Sequence, residues 1–151
     1  FVPDREAQLR GLRSIVDDVR QSTAGAVNTS RATLRIQTPS QPLWVDGDAN
    51  RLIQIQANLI TNAAKYSPPG SEVEVELRQD RDHAVICVRD RGVGISPEFL
   101  PRIFEPFSQS DATLHRAEGG LGVGLSLVKA LTELHGGSVS ASSGCQLRLP
   151  Q

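Results

Sequence analysis

The chain has 151 residues, with 16 basic and 17 acidic side chains and a net charge of −1. This length predicts a single domain with its own hydrophobic core. The near-neutral charge and the aromatic content of only 4% argue against a nucleic-acid-binding surface. No stretch has the length of a membrane span or the pattern of a secretion signal. We therefore expect a cytoplasmic domain without direct membrane contact, even if its parent protein is anchored elsewhere in its chain.

The first third of the chain predicts a helix and two short strands. Pro3 and Asp4 indicate the start of a packing helix, with Asp4 as its cap. Residues 22–32 are weakly apolar and either prolong this helix or fray from it. Residues 33–39 alternate through Leu34 and Ile36 and predict a short strand, and residues 43–45 predict a second one after a proline-rich turn. The apolar positions of the helix are Leu9, Leu12, Ile15, Val16 and Val19.

A central helix is predicted from Asp48 to Tyr66, where Pro68 ends it. Its apolar residues recur at helical spacing and form one stripe that faces a core. Asn58, Asn62 and Lys65 stand at i, i+4 and i+7 and form a second stripe. Asparagine oxygens suit a Mg²⁺ ion that keeps its waters and substrate phosphates, and lysine offsets phosphate charge. The alternative is an ordinary solvated helix face. The apolar stripe comprises Leu52, Ile55, Leu59, Ile60 and Ala63.

The chain after this helix predicts two long strands and a polar segment. Residues 71–77 alternate glutamates with aliphatic residues, which indicates a strand with one wet face. Residues 78–82 are expected to form the turn, and residues 83–90 are apolar on both faces, as in a central strand. A short amphipathic helix is predicted over 96–104, and the polar residues from about 105 to 119 predict a mobile lid.

The last third predicts a glycine-rich loop, a helix and a hairpin. Residues 119–137 pass from glycines into a helix that ends on Gly136 as a C-cap. The final strands turn at Ser143 and Gly144. The whole order predicts an α+β fold, a two-layer sandwich in which three main helices cover one face of a mixed, mostly antiparallel sheet of about five strands. The helix residues expected to be buried are Leu125, Val128, Leu131 and Leu134.

Two glycine-containing loops are candidate ligand sites. Asp90 follows the predicted central strand and could accept a hydrogen bond from an exocyclic amine such as that of adenine, while Gly92 and Gly94 let the backbone approach a flat ring. The alternative is a plain turn. The glycine run that ends at Gly124 opens a helix, where free N–H groups favour an anion. The alternatives there are close helix packing or a hinge.

Two common phosphate-binding signatures are absent. The sequence has no GxxxxGK followed by Ser or Thr, which excludes a P-loop enzyme. The segment GLGVGL follows a polar lid, whereas a dinucleotide-binding fingerprint follows a strand. A nucleotide would therefore have to be held in another way.

Taken together, the motifs resemble the histidine kinase branch of the superfamily that also holds DNA gyrase, the Hsp90 chaperones and MutL. NLITNAAKYSPPG resembles the kinases' N box, DRGVGI their G1 box, FEPF their F box and GGLGVGLSLVKALTELHGG their G2 box. The resemblance covers about residues 43–150, and the four motifs agree in sequence order. It implies the Bergerat ATP-binding fold and the catalytic and ATP-binding domain of a sensor histidine kinase, of the hybrid type.

The resemblance also implies roles for individual residues. Asn62 falls where the family has its Mg²⁺-ligating asparagine, and Asp90 resembles the aspartate that recognises the adenine amino group. The related ATPases have a general-base glutamate where this chain has Asn58. An amide cannot take a proton from water, so transfer of the γ-phosphoryl group to a protein nucleophile fits better than hydrolysis. The implied catalytic residues are Asn58, Asn62 and Lys65. The implied ATP contacts are these three with Tyr66, Asp90, Gly92, Gly94, Ile95, Phe107, Gly120, Leu121, Gly122, Val123, Gly124 and Leu125.

Several features depart from the family pattern or fall outside its motifs. Leu121 stands where many members have Thr or Ser, and the loop before the last strand is shortened, with Cys145 in place of the customary Phe. Cys145 and Cys87 lie in strand-like runs and are interpreted as buried thiols in a reducing compartment, not as a disulfide. His115 and Arg116 in the lid either reach the γ-phosphate or form a solvated pair.

The phosphoacceptor histidine of this family is usually followed by an acidic residue, and no histidine here is. His83 precedes Ala, His115 precedes Arg and His135 precedes Gly. His135 is instead expected to interact with the C-terminal end of its helix. The predicted function is therefore binding of Mg-ATP and transfer to a histidine on a separate dimerisation domain of the same protein, with a response regulator as an indirect partner. The alternatives are a non-catalytic nucleotide-binding or docking module and a serine kinase of the anti-sigma-factor type.

Overall fold

The computed structural model describes residues 9–92, 94–106, 124–142 and 145–150. Three helices, seven strands and one short 3₁₀ turn lie in these ranges. In chain order they are β1 (Leu9–Gly11), α1 (Leu12–Thr29), β2 (Thr33–Gln37), β3 (Trp44–Asp46), α2 (Ala49–Lys65), β4 (Glu72–Asp80), β5 (His83–Arg89), the 3₁₀ turn (Leu100–Arg102), α3 (Gly124–Leu134), β6 (Ser138–Ala141) and β7 (Cys145–Pro150).

Five strands form the main sheet in the order β2-β4-β5-β7-β6. Only β2 and β4 run parallel, and the other three pairs are antiparallel. The three helices pack on one face of this sheet and share its hydrophobic core. The predicted fold class, a two-layer sandwich with a mixed and mostly antiparallel sheet, is therefore confirmed. β1 and β3 form a separate two-stranded antiparallel sheet, whose pairing the sequence did not predict.

The two faces of the main sheet differ as the alternation of β4 predicted. Val73, Val75 and Leu77 are buried against the helices, while the glutamates between them lie on the other face. On that outer face Arg35 of β2 forms ion pairs with glutamates of β4. β5 is the middle strand and is buried on both faces, and its Cys87 is a buried free thiol. The expectation of a central strand here is confirmed.

α2 lies between α1 and α3, and its sequence explains its bounds. The carboxylate of Asp48 accepts hydrogen bonds from the backbone N–H groups of Asn50 and Arg51 and so caps the helix. Tyr66 ends the helix before the prolines. The predicted apolar stripe is buried, and one polar residue, Gln56, is buried with it at 1% exposure.

The first helix begins later than the sequence suggested. It starts at Leu12, after Gly11, and not at Asp4, which lies outside the described residues. Leu9 belongs to β1, where it pairs with Asp46 of β3. A partner strand almost forty residues away thus overrides a helical pattern that continues through this segment. At its other end the helix extends through the undecided stretch to Thr29, because Thr23 and Val27 are buried there.

Three further expectations about local structure were wrong. β4 continues to Asp80, so the turn to β5 is confined to Arg81 and Asp82. The amphipathic helix expected over 96–104 is a series of turns with a single 3₁₀ turn, which contains Pro101. Leu134 is 80% exposed, because it is the last residue of α3 and lies beyond the buried residues of that helix, which are Val128, Leu131 and Thr132.

Candidate functional site

The C-terminal half of α2 carries the predicted row of amides. Asn58 and Asn62 are half-buried. Nδ2 of Asn58 donates a hydrogen bond of 3.4 Å to the backbone carbonyl of Gly124, the first residue of α3. A Cβ atom on Gly124 would lie 3.8 Å from Nδ2 of Asn62. Both amides therefore border the start of α3, where the glycine-rich run ends.

Lys65 and Tyr66 close this row at the end of α2. Nζ of Lys65 lies 5.5 Å from the centre of the Tyr66 ring, a cation–π contact worth about 0.5–1 kcal/mol at an exposed site. No ion pair joins Lys65 to another residue within the described ranges. Its positive charge is therefore available to an anion that lies along the amide row.

The loop after β5 begins with an exposed aspartate. Oδ1 of Asp90 accepts a hydrogen bond of 2.8 Å from the backbone N–H of Gly92 and so forms a turn. The turn occupies one carboxylate oxygen, and the other has no partner in the part of the chain that the structure describes. Gly94 has φ of +75°, which favours glycine at this position. The loop therefore forms the plain turn that was the alternative prediction, and its second Asp90 oxygen can still accept a hydrogen bond from a ligand.

This loop is in direct contact with the end of α2. The backbone of Gly92 packs against the carbonyl oxygen of Tyr66, so closely that a Cβ atom at Gly92 would collide with it. The contact brings Asp90, Gly92 and Tyr66 together with the amide row. Ile95 follows the loop and is 42% exposed, so its contact with a nucleotide stays a prediction.

The remaining predicted contact residues divide into two groups. Leu125 is half-buried and packs against the hydrophobic core, so its contact with a nucleotide stays a prediction. The others lie outside the described residues, as do His115, Arg116 and the turn at residues 143 and 144. This second group consists of Phe107, Gly120, Leu121, Gly122 and Val123.

The donors at this site fit a metal ion that arrives with a polyphosphate. Within the described ranges no group of three or more His, Cys, Asp or Glu side chains could hold a metal. The amide row offers neutral oxygens instead, and the missing side chain of Gly124 leaves room beside Asn62. Mg²⁺ is commonly bound by one or two protein oxygens while phosphates and water complete its octahedron. The site therefore fits nucleotide-bound Mg²⁺ and does not resemble an all-protein metal cage.

The titratable groups with shifted pKa values lie on the outer face of the sheet. A hydrogen bond from Arg148 lowers the pKa of the Asp80 carboxyl below its ordinary value. A hydrogen bond to Glu76 raises the pKa of Arg89. Both shifts come from ion pairs between strands and not from contacts with the amide row or Asp90, so they concern stability and not the candidate site.

One functional candidate was only partly visible in the sequence. His135 lies at the end of α3, as expected, but it also contacts Gly47 and Asp48 at the start of α2. No local pattern indicates a contact across 87 residues. The signal in the sequence is a glycine beside each residue of the contact, Gly47 before Asp48 and Gly136 after His135, since glycine permits a close approach.

Comparison with known proteins identifies the family. The profile of the histidine kinase-, DNA gyrase B- and HSP90-like ATPases matches residues 47–150. The chain belongs to this family. Within it, the chain is a catalytic and ATP-binding domain of the sensor histidine kinase type, as the four motifs predicted; the hybrid type stays a prediction.

Named relatives of this kinase domain are sensor kinases. Histidine protein kinase DivJ of Caulobacter vibrioides is 37% identical over 158 residues, which cover 96% of this chain. Sensor-like histidine kinase SenX3 of Mycobacterium bovis is 38% identical over 126 residues, or 83% of this chain. The chain spans 26% of the length of DivJ and 30% of that of SenX3.

Solved structures of kinases share the fold. The mycobacterial sensor histidine kinase MprB matches with a TM-score of 0.81 and 29% identity, over 94% of this chain and 97% of that chain. Full-length ShkA in complex with AMPPNP matches with a TM-score of 0.76 and 25% identity, over 94% of this chain and 31% of that chain. Among the described residues of the kinase domain, no helix is both long and apolar enough to span a membrane.

Proposed function

We propose that this domain binds Mg-ATP and transfers its γ-phosphoryl group to a histidine on a separate dimerisation domain of the same protein. The observation that carries the proposal is the row of Asn58, Asn62 and Lys65 on α2. Its two amides border the start of α3, and the Asp90 loop packs against Tyr66 at the end of the same helix. ShkA, a relative with the same fold, has been solved with the ATP analogue AMPPNP.

Each residue of the site would have a distinct role. The free oxygen of Asp90 would accept a hydrogen bond from the adenine amino group, because its other oxygen is committed to the turn. The charge of Lys65 would offset phosphate charge. Asn62 would hold the Mg²⁺ ion through its amide oxygen. The ion, when bound, supplies charge stabilisation to the phosphoryl group being transferred.

Transfer is a better fit than hydrolysis because the site lacks a general base at Asn58. Its amide donates to the Gly124 carbonyl and cannot accept a proton from water. Asn58 would therefore position the start of α3 beside the phosphates. The attacking group must come from another domain, since no histidine of this chain precedes an acidic residue.

Several wider features belong to the same proposal. Residues 1–151 would form one catalytic domain, with an N-terminal packing region over 1–30, a motif-bearing core over 43–150 and a lid at about 105–119. The domain would work in the cytoplasm as part of a phosphorelay, whose response regulator it would reach only indirectly. Nucleic acids and the membrane would not be direct partners.

A trans-phosphorylation assay tests the function. The chain would be incubated with Mg²⁺, γ-labelled ATP and the separately purified dimerisation hairpin of its parent protein. Labelling of the hairpin that is lost in acid and kept in base is the expected result, because phosphohistidine is acid-labile. Acid-stable label would instead identify a serine kinase. Binding of ATP without transfer would indicate a nucleotide-binding or docking module.

A further inference from the structure

His135 occupies the junction between the end of α3 and the chain reversal that follows. The N–H groups of Gly136 and Gly137 donate to the carbonyls of Glu133 and Thr132, and Gly136 has φ of +75°. This is a Schellman motif in which His135 is the C-cap residue. The backbone thus already ends the helix, and the His135 side chain is not needed for that purpose.

The imidazole of His135 has two hydrogen-bond partners that require one tautomer. Nδ1 lies 2.7 Å from the carbonyl oxygen of Leu131, which can only accept. Nε2 lies 3.3 Å from the backbone nitrogen of Asp48, whose N–H can only donate. These two contacts correspond to the tautomer with its proton on Nδ1 and its lone pair on Nε2. One side chain in this form joins the end of α3 to the beginning of α2.

The partner of Nε2 is a group that α2 cannot satisfy by itself. In a capping box, the residue at the third helical position accepts a hydrogen bond from the N–H of the N-cap residue. In α2 the N-cap is Asp48 and the third position is Arg51, which has no acceptor. His135 supplies this missing acceptor from another helix.

Gly47 makes the contact possible. A Cβ atom at Gly47 would collide with Cδ2 of His135 and lie 2.7 Å from Nε2. Gly47 is not among the described glycines with positive φ, so residues other than glycine can adopt its backbone conformation. Glycine is therefore needed at this position to leave space for the imidazole ring, and not to allow a special backbone conformation.

We propose that His135 is a positioning residue for nucleotide binding, which rests on the function proposed above. α2 and α3 run antiparallel and touch at both ends of α3: His135, after its last residue, meets Asp48 at the start of α2, and Gly124, its first residue, meets Asn58 just past the middle of α2. The second contact is long, at 3.4 Å, so a small shift between the helices removes it. By holding one end, His135 sets the distance between the amide row and the start of α3.

Two substitutions at His135 separate this role from simple helix capping. His135→Gln offers an oxygen at the reach of Nε2 and can still accept from the Asp48 N–H. His135→Asn places its amide N–H near the position of Nδ1 and can still donate to the Leu131 carbonyl, but it is too short to reach Asp48. A positioning role predicts rescue by glutamine, whereas a capping role predicts rescue by asparagine.

Gly47→Ala is a third variant, which displaces the ring and leaves the histidine in place. Because both changes act on one contact, Gly47→Ala combined with His135→Asn is expected to weaken binding no more than either change alone. Glu133→Gln is the matched control, since Glu133 is an exposed neighbour on α3 that forms an ion pair with Lys129 of the same helix.

The test measures the Kd of a fluorescent ATP analogue with Mg²⁺, below the melting temperature of every variant. We expect His135→Asn and Gly47→Ala to raise Kd about two- to tenfold, the range of one lost hydrogen bond, and His135→Gln and Glu133→Gln to bind like the original chain. In nucleotide-free samples, the NMR signals of the Asn58 side-chain amide should shift in the first two variants only.

Two results would overturn the inference. If His135→Asn and Gly47→Ala keep the original Kd and the original Asn58 signals, the contact does not position the site. If His135→Gln binds as weakly as His135→Asn, acceptance from Asp48 is not the relevant interaction. Failure of the unmodified chain to bind the analogue is a different outcome, because it would refute the proposed function and with it any role in nucleotide binding.

Discussion

The carbonyl oxygen of Tyr66 lies directly against the backbone of Gly92, with no room for a side chain between them. This contact fixes the Asp90 loop against the end of α2 and so relates the predicted adenine acceptor to the amide row. It depends on glycine for space and not for conformation, because Gly92 is not among the described glycines with positive φ.

Gly92→Ala should therefore weaken nucleotide binding by at least about tenfold, because the new methyl group forces the loop away from Tyr66. The Kd of an ATP analogue measures the effect. Gly25→Ala is the control: Gly25 lies inside α1 with nothing within 4 Å of the added Cβ. That change should raise stability by about 0.5–1 kcal/mol and leave binding unchanged. Unaltered binding by Gly92→Ala would show that the loop tolerates displacement.

Asp90→Asn should abolish measurable binding of the ATP analogue. Asparagine keeps an oxygen for the Gly92 N–H, so the turn survives while the second oxygen becomes a donor that repels an amine. Asp82→Asn, at the exposed turn between β4 and β5, is a matched control that should bind normally. Near-normal affinity of the Asp90 variant would remove adenine recognition from the proposed function.

Asn62→Ala should reduce Mg²⁺-dependent phosphotransfer to a supplied hairpin by at least about tenfold, because a metal-ligand oxygen is lost. Asn50→Ala is the matched control. Asn50 lies in the first turn of the same helix, and its side chain is exposed and away from the site. This variant should transfer at the original rate. Equal rates for the two variants would argue against a metal role for Asn62.

Gln56→Leu should stabilise the fold by about 1–2 kcal/mol, since both side-chain polar atoms of Gln56 are buried and have no hydrogen-bond partner among the residues that the structure describes. Urea denaturation measures the change. Gln37→Leu, on the exposed side of β2, should change stability by less than about 0.5 kcal/mol. A destabilised Gln56 variant would mean that an ordered water satisfies the amide.

Stability in acid should depend on the pair of Asp80 and Arg148. The hydrogen bond and charge of Arg148 lower the pKa of Asp80 in the folded state below its ordinary value of 3.8. The pair therefore stabilises the fold above that value, and the contribution is lost as the pH falls through the lowered pKa. Urea midpoints between about pH 2 and 6 should decline less in Asp80→Asn than in the original chain. Parallel curves would contradict this assignment.

The central part of the candidate site could be predicted from the sequence, because helix spacing, helix capping and strand alternation depend on neighbouring residues. The spacing of Asn58, Asn62 and Lys65 places them on one side of a helix whatever the helix packs against. Asp48 and the prolines after Tyr66 define the ends of that helix through short-range sterics and capping. The strict alternation of β4 likewise assigned its two faces, since the period of a strand is a property of the backbone.

Only the tertiary structure decided the features that depend on distant partners. Leu9 is in a strand because β3 pairs with it, and Gln56 is buried because its neighbours on α2 are. Leu134 is exposed, despite its hydrophobicity, because the buried contacts of α3 end before it. His135 meets Asp48 across 87 residues, and no sequence period encodes such a contact. The sequence by itself thus determined the central elements, the family and the row of side chains that would bind the nucleotide, because these depend on local patterns, whereas long-range packing determined the remaining bounds and how closely the helices hold that row.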